Sequence, residues 1–412
     1  MTPHTEAGAT FFGLGIAPKL LEILDRIKIK TPTPIQAKAI PIAIEGKDVV
    51  GVAQTGTGKT LAFGLPMVQQ LAQKKGRALI LVPTRELAIQ VDETIKKIAQ
   101  PFGLKTAVLI GGASMHLQMQ ALRQNPRVII ATPGRLIDHM EQRTLILADV
   151  HILVLDEADR MLDMGFQPQI EQIIRFVSRD RQTMLFSATM PSEIMKIAAA
   201  HMKLPVSVEI APQGTTADRV TQELFIVAQE RKKQLLEKLL AQYHGSVLLF
   251  TRTKNGARKV TKALRQMRYG AAEMHSDKTL AQRREALEGF KSGKYRVLIA
   301  TDIAARGIDV KNIEVVINYD LPEDAQNYVH RIGRTARAGK EGHAISFATP
   351  EQAGEVKSIE RLIRSQLKIS EHPDLPKETF LKNFTPPPSQ FRGRGGRSRG
   401  GFHKRSGSRP KW

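Results

Sequence analysis

Three stretches of the sequence combine residue types and spacings that could do chemistry. "AQTGTGKT", Ala53 to Thr60, follows the apolar run "DVVGV" and precedes "LAFGLPMVQQL". That is the strand, glycine-rich turn and helix of a phosphate-binding loop. Backbone amides at the helix start point at the β-phosphate, and Gly56 and Gly58 permit the tight approach. Lys59 reaches the β/γ-phosphates, and the Thr60 hydroxyl is placed for Mg²⁺. Gln54, Thr55 and Thr57 complete the loop, while Ala53 stands where the pattern has its first glycine. The second stretch, "HILVLDEAD", ends a buried run in acids. Ligands gather at the carboxyl ends of parallel strands, so Asp156 and Glu157 are expected beside the loop. Asp156 would serve Mg²⁺, and Glu157 would orient and deprotonate an attacking water. The third, "HRIGRTARAGK", sets Arg331, Arg334 and Arg337 three apart. Their anion is either nucleic acid or a nucleotide held elsewhere on the chain.

The elements that must position these groups are short apolar runs alternating with amphipathic helices, the pattern of parallel α/β layers. In the first half the runs are "DVVGVA", "ALILVP", "TAVLIG", "RVIIAT", "ILVLD" and "TMLFSAT". The pattern lapses into Pro, Gly and Thr near "EIAPQGTTADRV", which reads as a linker. It then restarts with "SVLLFT", "GAAEMH", "RVLIAT", "EVVINYD" and "HAISFAT". "RVIIATPGR" and "RVLIATDIAARG" echo one another, a weak sign of duplicated folds. Expected boundaries are a first domain over 1–210, a linker over 211–218, a second domain over 219–368 and a tail over 369–412. The tail is rich in Pro, Gly, Ser and Arg and too poor in apolar groups to offset ordering entropy, so disorder is expected there.

Composition narrows the class. A length of 412 residues suits two or three domains. No apolar run approaches the roughly 20 residues of a membrane helix, and no secretory signal is visible, so a cytoplasmic protein without membrane contact is expected. The lack of cysteine excludes disulfides, thiolate zinc sites and cysteine nucleophiles. A net charge of +22 points to a polyanionic partner. The last 22 residues hold eight Lys and Arg and no acid, so the body keeps +14 and is basic in its own right.

With "DEAD" at Asp156 to Asp159 and "AQTGTGKT" upstream, the chain resembles the DEAD-box family of ATP-dependent RNA helicases over about residues 10 to 365. Further family motifs occur in order: "FFGLG" with "KIKTPTPIQ", "PTRELAIQ", "GG", "TPGR", "SAT", "LLFTRT", "ATDIAARGID" and "YVHRIGRTARAG". The resemblance implies two tandem RecA-like domains that are open without ligands and close around ATP and RNA. It implies that Phe12 and Gln36 meet adenine, that Asp302 touches the ribose, and that Arg334 and Arg337 reach the γ-phosphate as fingers. His330 and Arg331 would stabilise the domain interface, and Asp159, Ser187 and Thr189 would couple the acidic loop to unwinding. Arg85, Gly112, Thr132, Arg135, Thr251, Arg283, Thr301 and Arg306 would hold RNA by phosphate and sugar, which selects RNA without reading bases.

Departures from the family pattern are Ala336 at the last glycine position of the arginine motif, Ser276 for a common glycine, and Leu280 where glutamine often stands. The compact core and basic tail are most similar to the bacterial RhlE-type subgroup. The tail, with Phe391, Phe402 and Trp412 for stacking, either adds RNA affinity or acts as a charged solubilising end. The implied function is an RNA-dependent ATPase that opens short duplexes or remodels RNA–protein complexes. The alternatives are an ATP-gated RNA clamp with little strand separation and a DNA-dependent motor.

Overall fold

Runs rich in Val, Ile and Leu and bounded by charge become strands covered on both faces, as a parallel sheet demands. The computed structural model of the protein describes residues 10–54, 56–210, 220–305, 310, 313–335 and 342–381. Its first sheet contains β1 Val49–Val52, β2 Arg77–Leu81, β3 Thr106–Leu109, β4 Val128–Ala131, β5 Val150–Asp156, β6 Gln182–Ser187 and β7 Val206–Glu209. The second contains β8 Val220–Ile226, β9 Val247–Phe250, β10 Ala271–Met274, β11 Val297–Ala300, β12 Val315–Asn318, β13 Gly342–Ala348 and β14 Lys368–Ser370. The first sheet runs β3-β4-β2-β5-β6-β1-β7 and the second β10-β11-β9-β12-β13-β8-β14. Counted from its own first strand, each reads 3-4-2-5-6-1-7. The echoing stretches β4 and β11 therefore occupy equivalent places. The pairings are parallel, with Val49 opposite Met184 and Leu155 opposite Leu185.

Both sheets are sandwiched by helices, and apolar clusters fill the space on each face. In the first domain Phe63 and Phe186 meet with ring centroids 5.6 Å apart. Phe186 lies over Gly51, where a Cβ would come within 2.5 Å of its ring. In the second, Lys232 opens the helix Lys232–Gln242 after β8. Its buried ammonium lies 3.0 Å from Asp320 Oδ1 and 2.8 Å from the Tyr319 carbonyl, just beyond β12. Among the described residues no helix is long and apolar enough to cross a membrane.

Every run read as a strand from sequence is a strand here. Three strands carry no such run. β7 and β14 are sheet edges with mostly exposed or half-exposed residues, and β8, "VTQELFI", is buried at only some positions. The expected domain end at 368 is corrected by β14, which continues the sheet beside β8. After it Leu375 and Phe380 pack on the second domain, and Leu381 N donates to Pro350 O at 2.9 Å. The packed chain thus extends 13 residues past the expected end, because two apolar anchors within a polar segment leave no periodic signal. The expected linker 211–218 and the tail beyond 381 lie outside the described residues.

Candidate functional site

β1, β5 and β6 are neighbours, so the loops after them converge. Ala53 continues β1 and donates its N–H to Ser187 O at 2.9 Å. Gly56 has φ +85° and Gly58 φ +87°, conformations that exclude most side chains. Gly58 caps the helix Lys59–Gln73, whose first turn presents Lys59 and Thr60. The Lys59 ammonium is buried and donates to Ala53 O at 3.0 Å, holding the loop curled about the anion position. Thr57 Oγ1 donates to Gln54 O at 2.7 Å. Gln36 belongs to a capping box with Thr33, accepting from Thr33 N at 2.9 Å, and its Nε2 donates to Gly58 O at 3.0 Å. The residue expected at adenine is therefore also a strut of the phosphate loop. Phe12 is 77% exposed, while its neighbour Phe11 is in the core. Thr55 lies outside the described residues.

Across from the loop, β5 delivers Asp156. Burial pushes its carboxyl up to about 6, against the opposing pull of Lys59. A buried carboxylate beside the Thr60 turn suits a divalent cation, whose charge would reverse that shift. Glu157 follows in a left-handed backbone, φ 53° and ψ 50°, capping the helix Ala158–Asp163. Its Oε2 is 2.7 Å from Arg160 Nη1, with side chains 4% and 2% exposed. Sequence reading passed over Arg160, although its spacing of three from Glu157 puts both on one helical face. Asp159 binds the "SAT" turn: its Oδ2 accepts from Ala188 N at 3.1 Å, Thr189 N at 2.9 Å and Thr189 Oγ1 at 3.0 Å. Asp159 N in turn donates to Ser187 Oγ at 3.2 Å. Burial raises the Asp159 carboxyl, but Lys59, Arg160, the Thr189 amide and His330 together bring it below the ordinary value.

The candidate RNA residues of the first domain form one patch. Arg85 opens the helix Arg85–Ala99, capped by Thr84. Its guanidinium lies against Gly112, at φ +73°, where no side chain fits. Thr132 caps the helix Pro133–Glu141, and Arg135 Nη1 donates to Ala113 O at 3.1 Å. Beneath them the fully buried His139 contacts Gln118 Oε1 at 3.2 Å, and Gln118 Nε2 donates to Ile110 O at 3.0 Å. This support was invisible in the sequence because neither residue belongs to a motif. In the second domain Thr251 is buried, its hydroxyl donating to Thr253 O at 3.2 Å, and Thr301 N bonds Met274 O at 3.3 Å. Arg283, expected at RNA, also has a protein partner. Its Nε lies 3.0 Å from Glu86 Oε1 in a largely buried pair that bridges the two domains.

The three arginines now separate. Arg331 Nε and Nη2 grip both oxygens of Asp302, at 2.6 and 2.7 Å. Its Nη1 reaches Asn318 Oδ1 at 3.2 Å and Asp320 O at 2.6 Å, and its guanidinium stacks on Phe250. Arg331 thus braces the interior of the second domain while also lining the cleft toward the first, and its counter-ion Asp302 stays 24% exposed with acceptor capacity left on its oxygens. Arg334 is 4% exposed, and its Nε donates to His330 O at 3.2 Å. His330, Arg331 and Arg334 line a narrow cleft with Arg160 of the first domain. Arg337, Ala336 and Arg306 lie outside the described residues.

A phosphate loop and acidic strand end on one RecA-like domain, faced by an arginine-bearing helix from another, define a two-domain motor ATPase. Known proteins make the class specific. Residues 33–197 match the DEAD/DEAH box helicase family and residues 231–339 the helicase conserved C-terminal domain. The chain is 43% identical over 366 residues to the ATP-dependent RNA helicase CshA of Listeria monocytogenes, covering 88% of this chain and 70% of that protein. Among solved structures it is similar to S. cerevisiae Dbp5 bound to RNA and ADP BeF3, with TM-score 0.79, 30% identity and coverage of 88% and 96%. It is also similar to Mss116p bound to ssRNA and AMP-PNP, with TM-score 0.81, 28% identity and coverage of 90% and 82%. The chain belongs to the DEAD-box RNA helicase family. It is an ATP-dependent helicase of two RecA-like domains.

Proposed function

We propose that the protein is an RNA-dependent ATPase that closes its two domains around ATP and RNA, and so bends one strand and melts a short duplex or remodels an RNA–protein complex. The observation that carries this reading is the cleft where Arg160, one helical turn from Glu157, meets His330 and Arg334 of the second domain. The phosphate loop binds the triphosphate through amides at Gly56 to Thr60 and through Lys59. Thr60 and Asp156 would hold Mg²⁺, which would supply charge to offset that of the phosphates. Glu157 takes a proton from water as the water oxygen bonds to the γ-phosphorus. The bond from that phosphorus to the β–γ bridging oxygen breaks, yielding ADP and phosphate. Arg334, with Arg337, supplies charge to the transition state, where loss of a finger costs about 10³-fold. Asp159 and Thr189 relay loop position to the RNA-facing side, where Arg85, Gly112, Thr132 and Arg135 hold phosphate and sugar together with Thr251, Arg283, Thr301 and Arg306. The basic tail adds affinity. The cytoplasm is the expected compartment, and placement near the RhlE-type subgroup rests on the minimal core and tail.

The deciding test compares ATPase stimulation by RNA and by DNA of equal length, alongside displacement of short blunt and tailed duplexes. RNA-selective stimulation with strand displacement is expected. Equal stimulation by DNA refutes the RNA reading, and RNA-stimulated hydrolysis without displacement makes the protein a clamp. Glu157→Gln is expected to bind ATP and RNA yet stall, and undiminished turnover would refute the assigned base.

A further inference from the structure

The Glu157–Arg160 pair is built more tightly than an ordinary helix-face ion pair. Both side chains are almost wholly buried and 2.7 Å apart, in a region where an unpartnered guanidinium would be costly. Glu157 sits in a left-handed backbone conformation, φ 53° and ψ 50°, which is uncommon for a non-glycine residue. The guanidinium then fixes the remaining freedom at the carboxylate. Arg160 also does not stop at Glu157. It borders the cleft that holds Asp302, His330 and Arg334 of the facing domain, and its charge acts on Asp156 and Asp159 as well.

We infer that Arg160 is a positioning residue for hydrolysis. By engaging Oε2 it orients the Glu157 carboxylate, leaving the other oxygen to face the attacking water. Because it forms the wall that Arg334 approaches, it conveys the second domain's arrival to the base. This rests on the reading of Glu157 as the water-activating group. A rigid planar fork suits the task, since it fixes direction as well as charge. A lysine would keep the charge and lose the direction.

The experiment measures RNA-stimulated ATPase of the full chain at saturating RNA for Arg160→Met, Arg160→Lys, Glu157→Gln and the Glu157→Gln/Arg160→Met double variant. Functional sites are counted by nucleotide-binding stoichiometry. Arg160→Met is expected to lower kcat per functional site about tenfold or more, with KM for ATP held within about twofold, and Arg160→Lys to recover part of the loss. In the Glu157→Gln background the same change should alter kcat by less than about twofold, because a residue acting through Glu157 has nothing left to act on. An unchanged kcat in Arg160→Met, a loss that merely tracks the count of nucleotide sites, or an equal loss in both backgrounds overturns the inference. Wild-type turnover in Glu157→Gln brings down the base reading and this one with it. A slow Glu157→Gln with additive Arg160→Met effects removes only the role of Arg160.

Discussion

Replacing Arg331 by methionine should cost fold stability rather than transition-state charge. The side chain is 1% exposed and serves Asp302 through two nitrogens and Asn318 and Asp320 through a third. Methionine fills much of the volume but leaves Asp302 without its counter-ion and Asn318 Oδ1 without that donor. Breaking one side of a buried pair costs about 3–5 kcal/mol. Asp302 keeps 24% exposure, so water recovers part of that, and about 3 kcal/mol is the working figure. For a domain of this size each kcal/mol lowers Tm by about 2–4 °C, which gives a fall of about 6–12 °C. The assay is calorimetric unfolding of the full chain, scored on the second-domain transition, with ATP affinity measured in parallel on folded protein. Arg331→Lys should recover only part, because an ammonium cannot grip both carboxylate oxygens in the same plane. An unmoved transition together with a 10³-fold loss of hydrolysis would make Arg331 a finger and refute the reasoning.

Gly58→Ala combines left-handed strain of about 1–2 kcal/mol with displacement of the Gln36 amide, worth about 1 kcal/mol. ATP affinity measured with a fluorescent nucleotide should therefore fall about 30- to 150-fold, and a change under threefold would contradict the loop geometry. Thr189→Ala removes one of three hydrogen bonds to Asp159 Oδ2, so strand displacement should fall more than RNA-stimulated hydrolysis; equal losses would argue against coupling through this turn. His139 is held neutral chiefly by burial, with Arg135 adding to the effect and its pKa below the ordinary 6.5. Its contribution to stability is full above pH 6.5 and is lost as pH falls, because the unfolded chain takes the proton first. Urea denaturation should show that slope, and His139→Gln should flatten it. Removing residues 391–412 should reduce the slope of log affinity against log salt by about 0.7 for each phosphate released from single-stranded RNA.

The sequence made the central strands readable because both their faces are covered, which forces an unbroken apolar run such as "VIIA" or "VLLF". β7 and β14 escape that demand at the sheet edges. The phosphate loop was equally legible: its glycines and lysine answer to backbone geometry that tolerates few substitutes. What could not be read is which side of a helix faces inward. Arg331 and Arg334 differ by three residues, but only packing decides that Arg331 grips Asp302, Asn318 and Asp320 while Arg334 folds back on the His330 carbonyl. Glu86 and Arg283 lie in separate motifs nearly 200 residues apart, and their pairing exists only once two domains face each other.

The repeated strand order sets like side chains at like positions in the two sheets. In each half the helix after the first strand opens on a lysine, Lys59 or Lys232, and the segment ending the fifth strand supplies an aspartate, Asp156 or Asp320. In the first copy the space between them is a glycine-lined mouth. In the second the lysine and aspartate close directly on one another, and no glycine-rich turn separates strand from helix. The chain therefore carries two castings of one strand order, the second closed at this place by its own ion pair.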